Sequence, residues 1–167
     1  DNMLEFNMFL RRMNTDNYQA KLNNAAQMIA KADYTVFLGL GTSGSLSEYA
    51  TKYFVNTGLR SFVISDPFQA VQVQGMGNVV AVIMSVSGET EQVVNKELEF
   101  KSGGAKIISI TNNEDCTVAR LADHQLSYNL VNEWSKQYPL GNLTTQLPVL
   151  AILEILAHKS IDYHLKK

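Results

Sequence analysis

The sequence predicts an α/β protein, a three-layer α/β/α sandwich built around a five-stranded parallel sheet. Short apolar runs alternate along the chain with longer segments of helical periodicity, as is typical of a parallel sheet covered by helices on both faces. The length of 167 residues predicts one domain over 1–167 with a sizeable core. A content of 46% hydrophobic and 18% charged residues is ordinary for such a domain.

Five apolar runs are predicted as strands because they are short, rich in Val, Ile and Leu, and bounded by glycine or polar residues. These strands cover residues 35–40, 61–64, 79–84, 106–110 and 125–130. Helices are predicted from apolar residues at helical spacing over 17–31, 46–57, 67–73, 91–100, 115–121 and 149–156. Residues 1–16 are predicted to form an N-terminal arm or helix, and the polar stretch 133–143 is predicted to be a loop.

Two loops combine glycine with hydroxyl side chains between a strand and a helix. The run SVSGET at 85–90 follows the third strand, and GLGTSGS at 39–45 follows the first strand. Free N–H groups and the dipole of a helix N-terminus attract anions, and Ser and Thr hydroxyls add donors. In a parallel sheet both loops lie at the carboxyl edge, so the pair predicts an anion site there.

The loop at 85–90 contains no Lys or Arg, so a phosphate bound there would be held by neutral donors and the helix end. Taken alone, this loop fits a capped helix with spare serines equally well. Glu89 would have to point away from a bound phosphate, because like charges close together are costly.

A dinucleotide site is a weaker interpretation of the glycines. Gly39, Gly41 and Gly44 match the dinucleotide fingerprint only in part, and the acidic residue that binds the ribose is missing from the end of the second strand. Asp66 lies just beyond that strand, and the lysine of a P-loop is missing. The glycines are therefore interpreted as giving a ligand access to the backbone.

The pair GLGTSG and SVSGET, followed by GAKIISIT, resembles the SIS (sugar isomerase) domain, which binds phosphosugars. The resemblance covers about 22–156. Within that family it is most similar to the effector domain of RpiR-type transcriptional regulators, through the Ser-Asp-Pro run at 65–67, the run at 117–123 and Glu133. The chain departs from the pattern at 137–146, where RpiR-type domains often carry arginine and serine.

The resemblance implies a flavodoxin-like fold and the phosphosugar-sensing effector domain of a transcriptional regulator of carbohydrate metabolism. The implied ligand is a hexose or amino-sugar phosphate, bound without a cofactor. The residues expected to bind it are Gly41, Thr42, Ser43, Gly44, Ser85, Ser87, Gly88, Thr90 and Glu133. The serines and Thr90 would hold the phosphate or nearby hydroxyls, and the glycines would supply backbone access.

A single-domain isomerase of ketose or aldose phosphates is the alternative, with Glu133 and His158 in acid/base roles. Neither loop contains a histidine, and Glu89 and Glu91 have a sufficient role at a helix start, so no catalytic residue is assigned. The three histidines are not spaced as metal ligands, and no metal is expected.

The net charge of −2 does not favour nucleic-acid binding by this chain. The resemblance implies a DNA-binding helix-turn-helix domain upstream of Asp1, absent from 1–167. The all-apolar stretch 149–156 and the Met- and Phe-rich stretch 2–12 predict a homodimer or higher homo-oligomer. With one cysteine and no signal peptide or membrane-spanning run, a cytoplasmic location without a membrane partner is expected.

Overall fold

A computed structural model of the chain, which describes residues 1–166, contains a five-stranded sheet with helices on both faces. The strands are β1 (Tyr34–Leu38), β2 (Ser61–Ile64), β3 (Val79–Ser85), β4 (Lys106–Thr111) and β5 (His124–Ser127). The helices are α1 (Asn2–Met13), α2 (Asp16–Lys31), α3 (Thr42–Asn56), α4 (Glu91–Ser102), α5 (Thr117–Leu121) and α6 (Leu147–Leu165). No helix within 1–166 is long and apolar enough to cross a membrane.

All neighbouring strands run parallel, in the order β2-β1-β3-β4-β5. The chain passes from β1 to β2 on one side and then crosses to place β3 on the other side of β1. Leu38 of β1 pairs with Ile83 of β3, so these strands end side by side. Ligands of open parallel sheets bind beyond the strand ends at such a point. The predicted parallel five-stranded sheet is confirmed.

Two hydrophobic cores lie on opposite faces of the sheet. Val82 and Met84 of β3 belong to the core formed with α1, α2, α3 and α6, whereas Ala81 and Ile83 face the core formed with α4 and α5. Alternate residues of a strand point to opposite faces, so the uninterrupted apolar run of β3 reflects burial on both sides. The predicted three-layer arrangement is confirmed.

The apolar helix α6 is covered within the chain. Every residue from 149 to 156 is buried or half-buried, because α6 packs along α2 and also contacts α3. Its lack of a polar face therefore does not by itself require a partner. Exposed apolar side chains lie instead on α1, where Met3, Leu4 and Met8 are more than half exposed.

Several predicted boundaries differ from the structure, by three residues or more at the end of α6, which runs to Leu165 rather than 156, and at two further places. Helix α3 begins at Thr42, four residues before the predicted start, and thereby includes the run TSGS. Strand β5 ends at Ser127 rather than 130, because Asn129 has a φ of 49° and the N–H of Leu130 turns to the Asn112 side-chain oxygen. The close backbone approach of Gly44 in α3 to Gly39, and the turn at Asn129 after β5, override the sequence pattern at these two places.

The predicted short helix at 67–73 is wrong. The segment is irregular and is fastened to α4 by side chains. The Lys96 ammonium donates to the Gln69 carbonyl, and the Val71 N–H donates to a Glu99 carboxylate oxygen at 3.3 Å. These contacts give one backbone carbonyl and one backbone N–H of the segment a side-chain partner in place of a helical hydrogen bond.

Glu97 of α4 is a buried carboxyl group without a partner. Its side chain is fully buried, and neither oxygen has a hydrogen-bond partner within residues 1–166. Burial raises the pKa of Glu97 from 4.5 to about 8, with an opposing contribution from Lys101 and a reinforcing one from Asp123. The folded protein therefore retains this proton at neutral pH.

We expect stability to fall as pH rises between the unfolded and folded pKa values. From about pH 4.5 to about pH 8 the unfolded chain releases the Glu97 proton while the folded protein keeps it. The free energy of unfolding should fall by up to about 1.4 kcal/mol per pH unit from this group. Denaturant titrations of Glu97→Gln should lose this slope, whereas the exposed control Glu48→Gln should keep it. Equal slopes in both variants would show that Glu97 does not titrate in this way.

Candidate functional site

The loop after β1 packs tightly against the first turn of α3. A Cβ atom on Gly39 would lie 2.6 Å from the Ser43 carbonyl oxygen, and one on Gly44 would lie 3.0 Å from the Gly39 carbonyl oxygen. Gly41 is the N-cap residue, with a φ of 60°, and makes no side-chain cap. The first helical hydrogen bond runs from the Ser45 N–H to the Gly41 carbonyl at 3.1 Å, so the amides of residues 42–44 are left for another acceptor.

The loop after β3 is shaped by its own serines. The Ser85 hydroxyl oxygen accepts the Gly88 N–H at 2.9 Å, and the Ser87 hydroxyl oxygen accepts the Glu89 N–H at 3.1 Å. Both hydroxyl protons therefore stay available to a ligand. Thr90 is the N-cap of α4 and makes no side-chain cap, which leaves the first amides of this helix free as well.

The Glu89 carboxylate is turned away from the helix end. It accepts the Thr117 N–H at the start of α5 at 2.6 Å, and this hydrogen bond holds the pKa of Glu89 below its usual range. The Glu89 carboxylate thus points away from the start of α4, as expected if an anion is to approach the loop.

A third segment, 133–144, folds back over the same edge of the sheet. It forms a hairpin-like loop in which the Ser135 N–H donates to the Gly141 carbonyl at 2.6 Å. The Leu143 N–H donates to the Glu133 carbonyl at 2.7 Å, and the Glu133 N–H donates to the Thr144 hydroxyl at 2.9 Å. The stretch is irregular, as predicted, and these hydrogen bonds hold Trp134 and residues 140–142 beside the two glycine loops.

The three segments enclose one cavity of about 410 Å³, which we call the cradle cavity. It lies beyond the ends of β1 and β3, the point in the sheet where strand addition switches from one side of β1 to the other. Its lining residues are Leu40, Gly41, Thr42, Ser43, Met84, Ser85, Val86, Ser87, Thr90, Val93, Trp134, Leu140, Gly141 and Asn142. None of these described residues carries a charge, and two helix N-termini border the cavity. A cavity of this kind suits an anion that is bound by hydrogen bonds from neutral groups.

The structure brings six of the nine predicted site residues to this cavity. They are Gly41, Thr42, Ser43, Ser85, Ser87 and Thr90. Gly44 packs against Gly39, and Gly88 packs against Cys116, so both shape the loops without lining the cavity. Glu133 is exposed, and its backbone fastens the third segment.

Sequence reasoning assigned only Glu133 of the third segment to the site and missed the residues of that segment that line the cavity. Trp134, Leu140 and Asn142 line the cradle cavity, whereas Glu133 does not. The position of that stretch after the last strand was a usable signal, because all loops that follow parallel strands lie at one edge.

Two cavities of about 580 and 650 Å³ lie elsewhere, along the irregular segment 69–76. The smaller of them is bordered by Ser102 and Gly103, at the C-terminal end of α4. A helix C-terminus carries partial negative charge, which disfavours a phosphate. Size alone therefore does not mark the anion site.

His158 is distant from the cradle cavity within this chain. It lies eleven residues after the start of α6, about 17 Å along the helix at 1.5 Å per residue. Its Nε2 atom is 2.9 Å from the Tyr53 hydroxyl, on the exposed surface between α3 and α6. The two residues of the isomerase alternative, Glu133 and His158, are not brought together.

The parallel sheet, with a cavity of hydroxyl and glycine residues beyond the ends of β1 and β3, defines an open α/β protein of the ligand-binding class. The SIS domain model matches residues 28–156, and the chain belongs to the SIS domain family.

The relatives of the chain include both regulators and enzymes. An uncharacterized HTH-type transcriptional regulator of Clostridium perfringens is 25% identical over 131 residues, which cover 77% of this chain and 46% of that protein. Arabinose 5-phosphate isomerase KpsF of Escherichia coli is 28% identical over 127 residues, which cover 74% of this chain and 38% of the isomerase. The chain thus spans less than half the length of these relatives.

Solved structures share the fold. The sugar isomerase domain of an RpiR transcription factor from Sphaerobacter thermophilus superimposes with a TM-score of 0.77 at 14% identity, covering 99% of this chain and 88% of that chain. An E. coli CFT073 protein in complex with a phosphosugar has a TM-score of 0.75 at 23% identity, covering 97% of this chain and 85% of that chain. The predicted SIS fold and its likeness to RpiR-type domains are confirmed. Because the relatives include both regulators and isomerases, they do not distinguish these two functions.

Proposed function

We propose that the chain is the phosphosugar-sensing effector domain of a cytoplasmic transcriptional regulator of carbohydrate metabolism. The observation that carries the proposal is the cradle cavity, where two uncapped helix N-termini meet among neutral hydroxyl groups. The phosphate accepts hydrogen bonds from the amides of residues 42–44 and from the hydroxyls of Ser85, Ser87 and Thr90. The ligand is a hexose or amino-sugar phosphate, and relatives of the fold that were solved with phosphosugars support this class.

The lining supports a sensor rather than an isomerase. Isomerisation of a sugar phosphate moves a proton and needs a placed acid or base. Among the described residues, those that line the cradle cavity include no histidine, lysine or carboxylate. The sensor is proposed to bind DNA through a separate helix-turn-helix domain rather than through this chain, whose net charge is −2.

A set of hydrogen bonds leads from the site region to the N-terminal helix. The Arg12 guanidinium of α1 donates to the Tyr128 carbonyl at 2.8 Å and to the Asn129 carbonyl at 3.2 Å. These carbonyls precede the segment 133–144, which contributes Trp134 and residues 140–142 to the lining of the cradle cavity. A ligand that shifts this segment would therefore also shift α1, where a change of state can pass to an upstream domain.

The exposed apolar side chains of α1 support a homodimer or higher homo-oligomer. Met3, Leu4 and Met8 lie on one helix that is otherwise anchored by the buried Phe9 and Met13. Burial of such side chains between two copies would remove apolar surface from water.

Calorimetry tests the proposed function. Wild-type protein should bind hexose 6-phosphates and hexosamine 6-phosphates, and the free sugars should bind at least about tenfold more weakly because charge-assisted hydrogen bonds are lost. Ser87→Ala should lower phosphosugar affinity by about tenfold. Equal affinity for sugar and sugar phosphate would contradict the proposal.

An isomerase is the second candidate, favoured by the 28% identity to arabinose 5-phosphate isomerase KpsF over 74% of this chain. NMR spectra of the protein mixed with ketose and aldose phosphates should show binding without interconversion. Turnover that disappears in Glu133→Gln would make the enzyme the better interpretation.

A further inference from the structure

A second cavity of about 290 Å³, which we call the amide cavity, adjoins the cradle cavity. The two share Val86, Ser87, Trp134 and Asn142 in their linings. The remaining lining residues are Asn112, Asn113, Asn129, Leu130 and Asn132. A ligand whose phosphate lies in the cradle cavity would therefore extend its body along a wall of asparagines.

Hydrogen bonds within the fold fix the orientation of two of these amides. The Asn113 Oδ1 atom accepts the Asp115 backbone N–H at 2.7 Å, and the Asn142 Oδ1 atom accepts the Thr144 backbone N–H at 3.0 Å. A backbone N–H only donates, so the oxygen of each side chain must face it. Each NH₂ group is then the end of the side chain that is left for a ligand.

The orientation of Asn132 follows from a chain of contacts. The Asn112 Oδ1 atom accepts the Leu130 N–H at 2.7 Å, which fixes the Asn112 Nδ2 atom as a donor. That Nδ2 atom donates to the Asn132 Oδ1 atom at 3.1 Å. The NH₂ group of Asn132 is again the free end.

The amide cavity thus offers donors beside apolar surface. None of the NH₂ groups of Asn113, Asn132 and Asn142 has a hydrogen-bond partner within residues 1–166. Trp134, together with a leucine and a valine, adds apolar surface to the same lining. A ligand group that complements these donors and this apolar surface has a neutral hydrogen-bond acceptor next to a small apolar group.

We infer that the amide cavity receives the N-acyl group of an N-acylated amino-sugar phosphate. The acyl carbonyl oxygen accepts from the free NH₂ groups, and the acyl methyl group contacts the Trp134 indole. The inference rests on the proposed function, because the phosphate in the cradle cavity positions the acyl group.

Charge separates this ligand from the related sugar derivatives. The described residues that line the amide cavity include no carboxylate to pair with the ammonium group of a free amino sugar. They also include no Lys or Arg to pair with the carboxylate of a sugar acid. An uncharged acyl group needs no ion-pair partner, and its carbonyl oxygen can use the amide donors of this lining directly.

Calorimetry with the 167-residue chain tests the inference on three ligands, the N-acetylhexosamine 6-phosphate, the hexosamine 6-phosphate and the hexose 6-phosphate, in gluco and manno configurations. In at least one configuration the N-acetyl compound should bind about tenfold or more tightly than the other two. Asn132→Ala should lower the N-acetyl affinity by about tenfold and change hexose 6-phosphate affinity by less than about threefold, since Asn132 does not line the cradle cavity. The matched control Asn24→Ala, on α2 away from both cavities, should change neither affinity.

The outcomes separate this inference from the proposed function. Similar affinities for the three ligands in both configurations would overturn the N-acyl assignment and leave the phosphosugar sensor intact. Tighter binding of the hexosamine 6-phosphate would also overturn it, in favour of an ammonium group over the Trp134 ring. Absence of binding by every phosphosugar would overturn both.

Discussion

Ser87→Asp should lower the affinity for phosphosugars by at least about a hundredfold, because it places a carboxylate beside the bound phosphate. Ser87 lines the cradle cavity, and its hydroxyl accepts the Glu89 N–H. An aspartate oxygen can accept the same N–H, so the loop should keep its shape. Calorimetry with a hexose 6-phosphate measures the effect.

Ser102→Asp is the matched control, because it adds the same charge at the exposed C-terminal end of α4, the helix that follows the Ser87 loop. There the charge is separated from the cradle cavity by the length of α4 and is screened by salt, so affinity should change by less than about threefold. Wild-type affinity in Ser87→Asp would show that the phosphate does not bind at the loop after β3.

Gly88→Ala should destabilise the protein by about 2–4 kcal/mol, since two penalties coincide at this position. Gly88 has a φ of 68°, a conformation that residues with a Cβ atom adopt at a cost. A Cβ atom at this position would also overlap the sulfur of the buried Cys116. Denaturant unfolding followed by circular dichroism measures the loss.

The clash can be separated from the backbone strain. Gly58 has a φ of 91° and open space around its Cβ position, so Gly58→Ala should show the strain alone, about 1–2 kcal/mol. In a Cys116→Ala background, Gly88→Ala should become less costly by about 1 kcal/mol, because the larger atom is gone. If Gly88→Ala costs no more than Gly58→Ala, the loop relaxes away from Cys116 and the tight packing is not required.

The sheet was predictable because its strands are buried on both faces. Residues such as Val82 and Ile83 must both be apolar when helices cover each side, so β3 stands out as an uninterrupted run. The order of the strands follows less directly from the sequence. It depends on long-range pairing, and the sequence analysis predicted no strand order beyond the flavodoxin-like fold that the family resemblance implies.

The glycine loops were recognisable because their chemistry is local. Gly41 and Ser87 sit within short runs of glycine and hydroxyl residues that follow apolar strands. The early start of α3 was not predictable, because Gly44 and its serine neighbours have low intrinsic helix propensity. The close approach of Gly44 to the Gly39 carbonyl favours the helix there instead.

The residues of the third segment, 133–144, that line the cradle cavity could not be assigned from the sequence. Trp134 and Asn142 are brought to the cavity by hydrogen bonds between residues 133 and 144, which have no periodic signature. The free ends of the asparagines are likewise set by partners that only the folded chain defines, such as the Thr144 N–H for Asn142. Specificity for the sugar body is therefore a tertiary property of this fold.

A titration of ¹⁵N-labelled protein with a hexose 6-phosphate, followed by two-dimensional NMR, tests most directly whether the phosphate binds between the two helix N-termini. We predict that the largest amide shifts fall at residues 42–44 and 90–92, whose N–H groups lie at the starts of α3 and α4. Residues 99–103, beside the cavity of about 580 Å³ at the other end of α4, should shift little. Shifts centred on 99–103, or no shifts at the helix starts under saturating ligand, would contradict a phosphosugar site in the cradle cavity.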